Sequence, residues 1–409
     1  MVLPTLGTYI APTTQSLLRH LGHSPAVMAN TFNLFALSAH ADDLQDAVAH
    51  LTEIPNSIGA LTASPFKGSQ LSIASYPMTS CYPFRSTIPG TPQAQVGRIR
   101  TYRPPSREEK ASETRLDNML AGGSVDWNDA LSESGPLELP SDLQRIRDKS
   151  VYSFLYLSDG KPEGLIDSLH RHFPSASQLG LIGSSTPFIT GRPFTLFKGA
   201  NIFSDGAVGI ALLDQPSQNI TMSFDCIHAV SKPMEVTQAQ TNLIEALDNG
   251  NPVENLMVAM KASGTINKDQ DIYLGVMDGS TSSNPKAHDS GMPTYNYSRI
   301  YRITAGGPSR GSLLLDATEG PQAGTKVQFA TASPSSKSSK TWAVSDQASP
   351  TFSLGVLAES HMQNSSTGPD VRVADNLFAG ASENGLTLKR GQERPWICSI
   401  PGTTVQWVQ

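Results

Sequence analysis

A unit of strand, helix and strand occurs twice in this chain, and no other feature restricts its fold as much. The first copy, Phe32–Ser64, reads FNLFALSAHADDLQDAVAHLTEIPNSIGALTAS; the second, Tyr152–Thr186, reads YSFLYLSDGKPEGLIDSLHRHFPSASQLGLIGSST. In each, a β-prone apolar run reaches a serine, Ser38 or Ser158. An amphipathic stretch follows, with Leu44, Val48 and Leu51 in one copy and Leu165, Ile166 and Leu169 in the other, at helical spacing. A second apolar run closes the unit at Ile58-Gly59 or Ile182-Gly183. Two strands joined through a helix pair in parallel, so the fold class expected is α/β with mixed α+β character: duplicated strand–helix–strand units in layered mixed sheets.

Other elements attach to this frame. Residues 13–23 read as a short helix through Leu17, Leu18 and Leu21, and Asp42-Asp43 reads as the opening of a helix over 42–52. Strands are expected at Thr195–Gly199 and Ala207–Leu213. Val236–Leu247 fits either two strands or one helix, while Asn251-Pro252 caps a clearer helix carrying Val253, Leu256, Met257 and Met260. The last third reads as strands, among them Ile272–Val276, Ser298–Ile303, Lys326–Ala330 and Leu354–Leu357, with polar loops near 278–290 and 333–349. Between the two repeated units, from about 83 to 147, Pro, Ser, Arg and Glu dominate, as in RTYRPPSREEKASETR from Arg100, and a disordered insertion is expected. The domain division expected is 1–29 as an N-terminal extension, 30–262 as a first domain containing the insertion, and 263–409 as a strand-rich second domain.

Composition narrows the partners. Net charge is -6, and no Lys/Arg run with interleaved aromatics offers a local basic surface, so nucleic acid is not expected. No apolar run approaches the roughly 20 residues of a membrane-spanning helix. Three cysteines without close spacing, Cys81, Cys226 and Cys398, argue against a disulfide framework or a zinc knuckle and for a reducing, cytoplasmic setting. The absence of Asp and Glu from residues 1–41 keeps a mitochondrial address as the alternative. His20/His23 and His170/His172 lack thiol or carboxylate company at ligand spacing, so no metal is expected. GPQAGTK, from Gly320, has the wrong spacing for a phosphate loop and precedes a strand, and no cofactor is expected.

Several segments in order resemble the FIST family (F-box and intracellular signal transduction proteins). They are LYLSDGKPEGLIDSL from Leu155, GLIGSSTP from Gly180, FSDGAVGIALLD from Phe203 and PMEVTQAQTNLIEALDNGNPVENL from Pro233, with YRITAGGPSRGSLLL and GTKVQFA resembling its C-terminal domain. The resemblance implies N- and C-terminal FIST domains and a sensory module for small polar ligands such as amino acids. The family also occurs in ubiquitin-ligase subunits beside an F-box. No Leu-Pro-x-Glu opening precedes Phe32, so an adaptor role is expected only without one.

Three places are candidate ligand contacts. Ser184, Ser185 and Thr186 follow a buried strand, where hydroxyls and backbone N–H groups suit a carboxylate; the same residues also suit a locally capped turn. Cys226 and His228, two apart, share a face if they lie on one strand, and could form a thiolate pair. In family members a Gly-Cys pair is common there, whereas Asp225 stands before Cys226. Glu383 and Asn384 lie where the C-terminal FIST domain often has Gly-Glu; a carboxylate there suits a ligand ammonium, and Asn384-Gly385 equally suits a type I′ hairpin turn. The function expected is therefore a non-enzymatic protein that binds a small, amino-acid-like polar ligand. The alternatives are a protein-interaction scaffold or ubiquitin-pathway adaptor, and a thiol-dependent enzyme using Cys226 and His228.

Overall fold

A parallel strand with apolar residues on both faces needs cover from two directions, and this requirement organises the molecule. The computed structural model describes residues 4–21, 31–66, 68–90, 138–214, 219–262, 271–278, 286–287, 293–307, 311–317, 319–332, 345–357 and 371–409. Its first half contains strands β1 (Thr5–Ala11), β2 (Thr31–Ser38), β3 (Ser57–Thr62), β4 (Ser69–Pro77), β5 (Cys81–Ser86), β6 (Ser153–Ser158), β7 (Ser177–Ile182), β8 (Leu196–Lys198), β9 (Asn201–Phe203) and β10 (Ala207–Leu212). Helices α1 (Thr14–Leu21), α2 (Leu44–Glu53), α3 (Glu163–His172) and the single turn α4 (Pro187–Thr190) lie between them. The second half contains β11 (Asn219–Phe224), β12 (Ile227–Ala229), β13 (Met234–Gln240), β14 (Leu243–Leu247), helix α5 (Pro252–Ala262) and β15 (Ile272–Met277). After these come β16 (Lys286–Ala287), β17 (Pro293–Thr294), β18 (Tyr297–Gly307), β19 (Ser312–Leu315), β20 (Lys326–Ala332) and β21 (Thr351–Val356). The last strands are β22 (Arg372–Asp375), β23 (Leu377–Ser382), β24 (Leu386–Lys389), β25 (Trp396–Cys398) and β26 (Thr403–Val408). The chain is mixed α+β with several mixed sheets and a strand-rich C-terminal region, as its sequence pattern implies. No helix among the described residues is long and apolar enough to cross a membrane.

The two repeated units seed two sheets, ordered β22-β1-β4-β2-β3-β8-β9 and β25-β24-β7-β6-β10-β5. In each unit the two strands pair in parallel, β2 with β3 and β6 with β7. Leu34, Ala36, Ile58 and Ala60 of one sheet and Leu155, Leu157, Leu179 and Leu181 of the other share a single core. On the outer face of the first sheet, Phe35 and Leu37 pack with Leu17 of α1 and Ala47 and Leu51 of α2. On the outer face of the second, Phe154 and Tyr156 pack with Leu165, Ile166 and Leu169 of α3. The layers are thus helix, sheet, sheet, helix.

This packing corrects the sequence alignment of the copies by one residue in the first strand and by three in the second. Phe35 opposes Gly59 across the pair, and Tyr156 opposes Gly180. A Cβ on Gly59 would fall inside the Phe35 ring, and a Cβ on Gly180 inside Tyr156 and Thr387. Gly59 therefore matches Gly180 and not Gly183, and Ser38 matches Asp159 and not Ser158. Side chains alternate along a strand, so a slip of one residue exchanges the core and helix faces. Gly180→Ala should cost about 2–3 kcal/mol, because the displaced Tyr156 ring is fully buried and its hydroxyl accepts from Thr387 Oγ1 at 2.7 Å. Gly59→Ala should cost a similar amount; urea unfolding of both variants checks the equivalence.

Three other expectations change. Residues 5–11, read as part of an extension, form β1 between β22 and β4, while the helix expected over 13–23 forms as α1. Asp42 does not open α2; its Oδ1 accepts from Thr14 N–H at 2.6 Å, Thr14 Oγ1 at 2.7 Å and Ser69 Oγ at 2.9 Å, and so caps α1 from a distance. Burial opposes the Asp42 charge, but these donors outweigh it and hold the carboxyl below its usual range. The insertion narrows at both ends: residues 83–86 lie in β5, and Ser141–Ile146 forms a 3-10 turn that buries Leu143 and Ile146 beside Phe84. Residues 91–137 of that insertion, and most of the loops expected at 278–290 and 333–349, lie outside the described residues.

Val236–Leu247 resolves as β13 and β14, and Asn251 Oδ1 caps α5 by accepting from Val253 N–H at 2.9 Å. Strands β13-β14-β19-β18-β15-β20 close into a ring, because β20 pairs with both β15 and β13. The chain then returns to the first half. β22 joins β1, and β24 joins β7. β23 lies in a four-stranded sheet, β11-β26-β21-β23, and is clamped to the first sheet by buried polar groups. Ser72 Oγ and Gln70 Nε2 donate to Ala379 O at 2.6 and 3.0 Å, and Thr8 Oγ1 donates to Leu377 O at 2.8 Å. This clamp fixes where the residues just after β23 emerge.

Candidate functional site

Parallel strands leave their C-terminal ends facing one way, and in layered sheets ligands are commonly held beyond those ends. Here the ends of β3, β7 and β23 meet. Ser184 N–H donates to Leu61 O at 3.0 Å, Ala63 N–H to Ala381 O at 2.9 Å, and Ile182 N–H to Gly385 O at 3.1 Å. Two motifs that are remote in sequence are thereby joined.

Glu383 Oε2 accepts from Ser184 Oγ at 2.9 Å, and its Oε1 accepts from Ser185 N–H at 2.7 Å. Asn384 Nδ2 donates to Gly183 O at 2.8 Å and to Glu383 Oε1 at 3.2 Å. Ser184 is buried, Glu383 and Asn384 are half-buried, and Ser185 is exposed, so the carboxylate lies at the boundary between core and solvent. The donors after β7 do hold a carboxylate, as the sequence suggests, but it belongs to the chain itself. The cluster presents a fixed negative charge with satisfied orienting bonds, which suits an ammonium and repels an anion.

Asn384-Gly385 is not a hairpin turn. It joins β23 and β24, which belong to different sheets, and Asn384 lacks the positive φ that a type I′ turn demands. Gly385 has φ 121°, and a Cβ there would strike the carbonyl of Cys398, so glycine is required for the crossing.

Thr186 stands apart from the carboxylate. It is fully buried, its Oγ1 donates to Arg192 O at 2.9 Å, and it shares a hydrogen bond with Thr195 Oγ1 at 2.8 Å. Its role is to brace the base of the loop that carries α4. Cys226 and His228 are also elsewhere. Cys226 lies in the turn between β11 and β12, and His228 lies on β12 opposite Thr331. They do not share a strand face, which removes the premise for a thiolate pair. The Cys226 sulfur fills the space beside Gly402, whose Cβ would overlap it. Burial pushes the Cys81 thiol up to about 12 and the Cys398 thiol up to about 11. Iodoacetamide at neutral pH should therefore label Cys226 alone, and all three thiols in urea; peptide mass spectrometry reads the difference.

A concavity of about 820 Å³ opens elsewhere, near the starts of β2 and β3, and is lined in part by Phe32, Leu139, Arg85, Phe203, Asp142 and Lys198. Its Lys198, Asp142 and Arg85 are already paired. Lys198 Nζ meets Asp142 Oδ2 at 2.6 Å, and the Arg85 guanidinium covers the Phe203 ring at 3.8 Å while pairing with Asp205 at 2.9 Å. Burial raises the Asp142 carboxyl, but the bonds from Lys198 and the Arg85 N–H prevail and lower it. The cleft has volume, whereas the strand-end cluster has the directed charge.

Sequence reasoning singled out Ser184, Ser185, Glu383 and Asn384 separately, and the structure brings these four together. It passed over Phe188, which follows the serines and is fully exposed; Pro187 after Thr186, at a first helical position, was the available signal. A family model described as FIST N domain matches residues 31–250, a span that contains Ser184 and Ser185 and ends before Glu383. No curated protein and no solved structure matches the chain.

Proposed function

The chain belongs to the FIST family, and from that premise we propose that it senses a small, amino-acid-like molecule at the meeting point of β3, β7 and β23. A sensory, signal-transduction role is the family's. The finer reading rests on one observation: Glu383, outside the matched domain, is held by Ser184 and Ser185 within it, at 2.9 and 2.7 Å. A ligand ammonium that approaches this carboxylate contacts both parts of the chain at once, so binding couples them. Residues 263–409 are read here as the C-terminal FIST domain, whose contribution to the site is Glu383 and Asn384.

Thermal-shift screening of the full chain tests the reading. Compounds with a primary ammonium should raise the melting temperature, and organic acids of similar size without one should not. At a concentration 100 times its Kd, a ligand stabilises by about 2.7 kcal/mol, which is readily seen. A screen of metabolite-free protein in which no ammonium compound stabilises would end the proposal.

A further inference from the structure

We infer that Phe188 is the specificity-determining lip of this site, closing over the hydrocarbon part of a ligand whose ammonium meets Glu383. The inference rests on the ligand-binding reading above and adds to it that the ligand has an apolar body beside its charge.

Phe188 is 101% exposed, and its neighbour Ile189 is 43% exposed. Such a ring is ordinarily found on a slack loop or turned inward. This loop is neither slack nor turned. Thr186 N–H donates to Pro193 O at 2.9 Å, and Thr190 N–H donates to Thr186 O at 2.9 Å. The hydroxyls of Thr186 and Thr190 each share a 2.8 Å hydrogen bond with Thr195 Oγ1, and Arg192 Nη1 donates to Ser204 Oγ at 2.8 Å. The backbone is fixed at its base while the aromatic ring is left without packing.

The chain bounds the distance between that ring and the carboxylate. Ser185 N–H holds Glu383, and Phe188 follows three positions after Ser185, so the two backbones lie at most about 11 Å apart. A carboxylate on one side and an aromatic face on the other are complementary to a cation with an attached hydrocarbon: the charge is satisfied at Glu383 and by the ring quadrupole, and the apolar body covers the ring.

The test compares two probe pairs that differ in apolar body and not in charge: L-alanine with L-phenylalanine, and ethylammonium with 2-phenylethylammonium. Affinities are measured by calorimetry on the full chain. The wild type should prefer the larger member of each pair by about tenfold. Phe188→Ala should reduce that preference to threefold or less with little change for the smaller member, and Phe188→Trp should restore it. Because the ring makes no packing contact, the alanine variant should keep its circular dichroism spectrum and melting temperature. A preference that survives Phe188→Ala overturns the inference and leaves the ligand-binding reading standing. Failure of all four probes to bind the wild type overturns both.

Discussion

Lys389→Met should lower the stability of this protein by about 3 kcal/mol, although methionine matches lysine closely in length and hydrocarbon content. Lys389 is fully buried on β24. Its ammonium donates to Pro174 O at 2.6 Å, to Ala176 O at 2.7 Å and to Gly391 O. Three donors meet three carbonyls, and these bonds tie the turn after α3 to the turn after β24. Methionine removes every donor and leaves the carbonyls in a dry environment. Burial also pushes the Lys389 amine down to about 8, from an ordinary value of 10.5. Between those two values the unfolded chain holds a proton that the folded chain has released, so this group makes stability rise with pH across that window and leaves it flat below. Urea unfolding at pH 7, 9 and 10.5 should show the gap between wild type and variant widening as pH rises. A gap near zero at pH 7 would mean that the carbonyl cage contributes nothing.

Glu383→Gln should weaken the binding of an ammonium ligand about a hundredfold while leaving the fold intact. Glutamine keeps the shape of glutamate, and its carbonyl oxygen can still accept from Ser184 or Ser185, so the strand ends stay together. What disappears is the charge. Ser184→Ala should have a smaller effect, about tenfold, because it frees one carboxylate oxygen to rotate without removing the charge. Calorimetric titration of the three proteins with the best ligand from the screen gives the comparison. Equal affinity of wild type and Glu383→Gln would remove the carboxylate from the site.

The repeat was legible because burial on both faces forces apolar residues into adjacent positions, and helix spacing separates the strands. Its register was not. Serines end both first strands, and only the ring contacts Phe35–Gly59 and Tyr156–Gly180 reveal which face each residue takes. β1 was hidden for a related reason. Thr8, and beyond it Gln70 and Ser72 on β4, look like solvent-facing positions, yet they are buried under β23, a strand more than 300 positions away in sequence. The same long return of the chain explains the site. Glu383 and the two serines were each recognisable by chemistry, but nothing local indicates that a carboxylate 198 positions from Ser185 completes its hydrogen bond. Cys226 and His228 were misread because a tight turn falls between two short strands where alternation suggested one.

Binding of the ligand at the strand ends is the premise of the proposed function. A crystal structure of the full chain grown with the most stabilising ammonium compound should show density against the Glu383 carboxylate, with its hydrocarbon part facing Phe188. Density in the cleft between Phe32, Arg85 and Phe203, with the Glu383–Ser184 cluster empty, would contradict it.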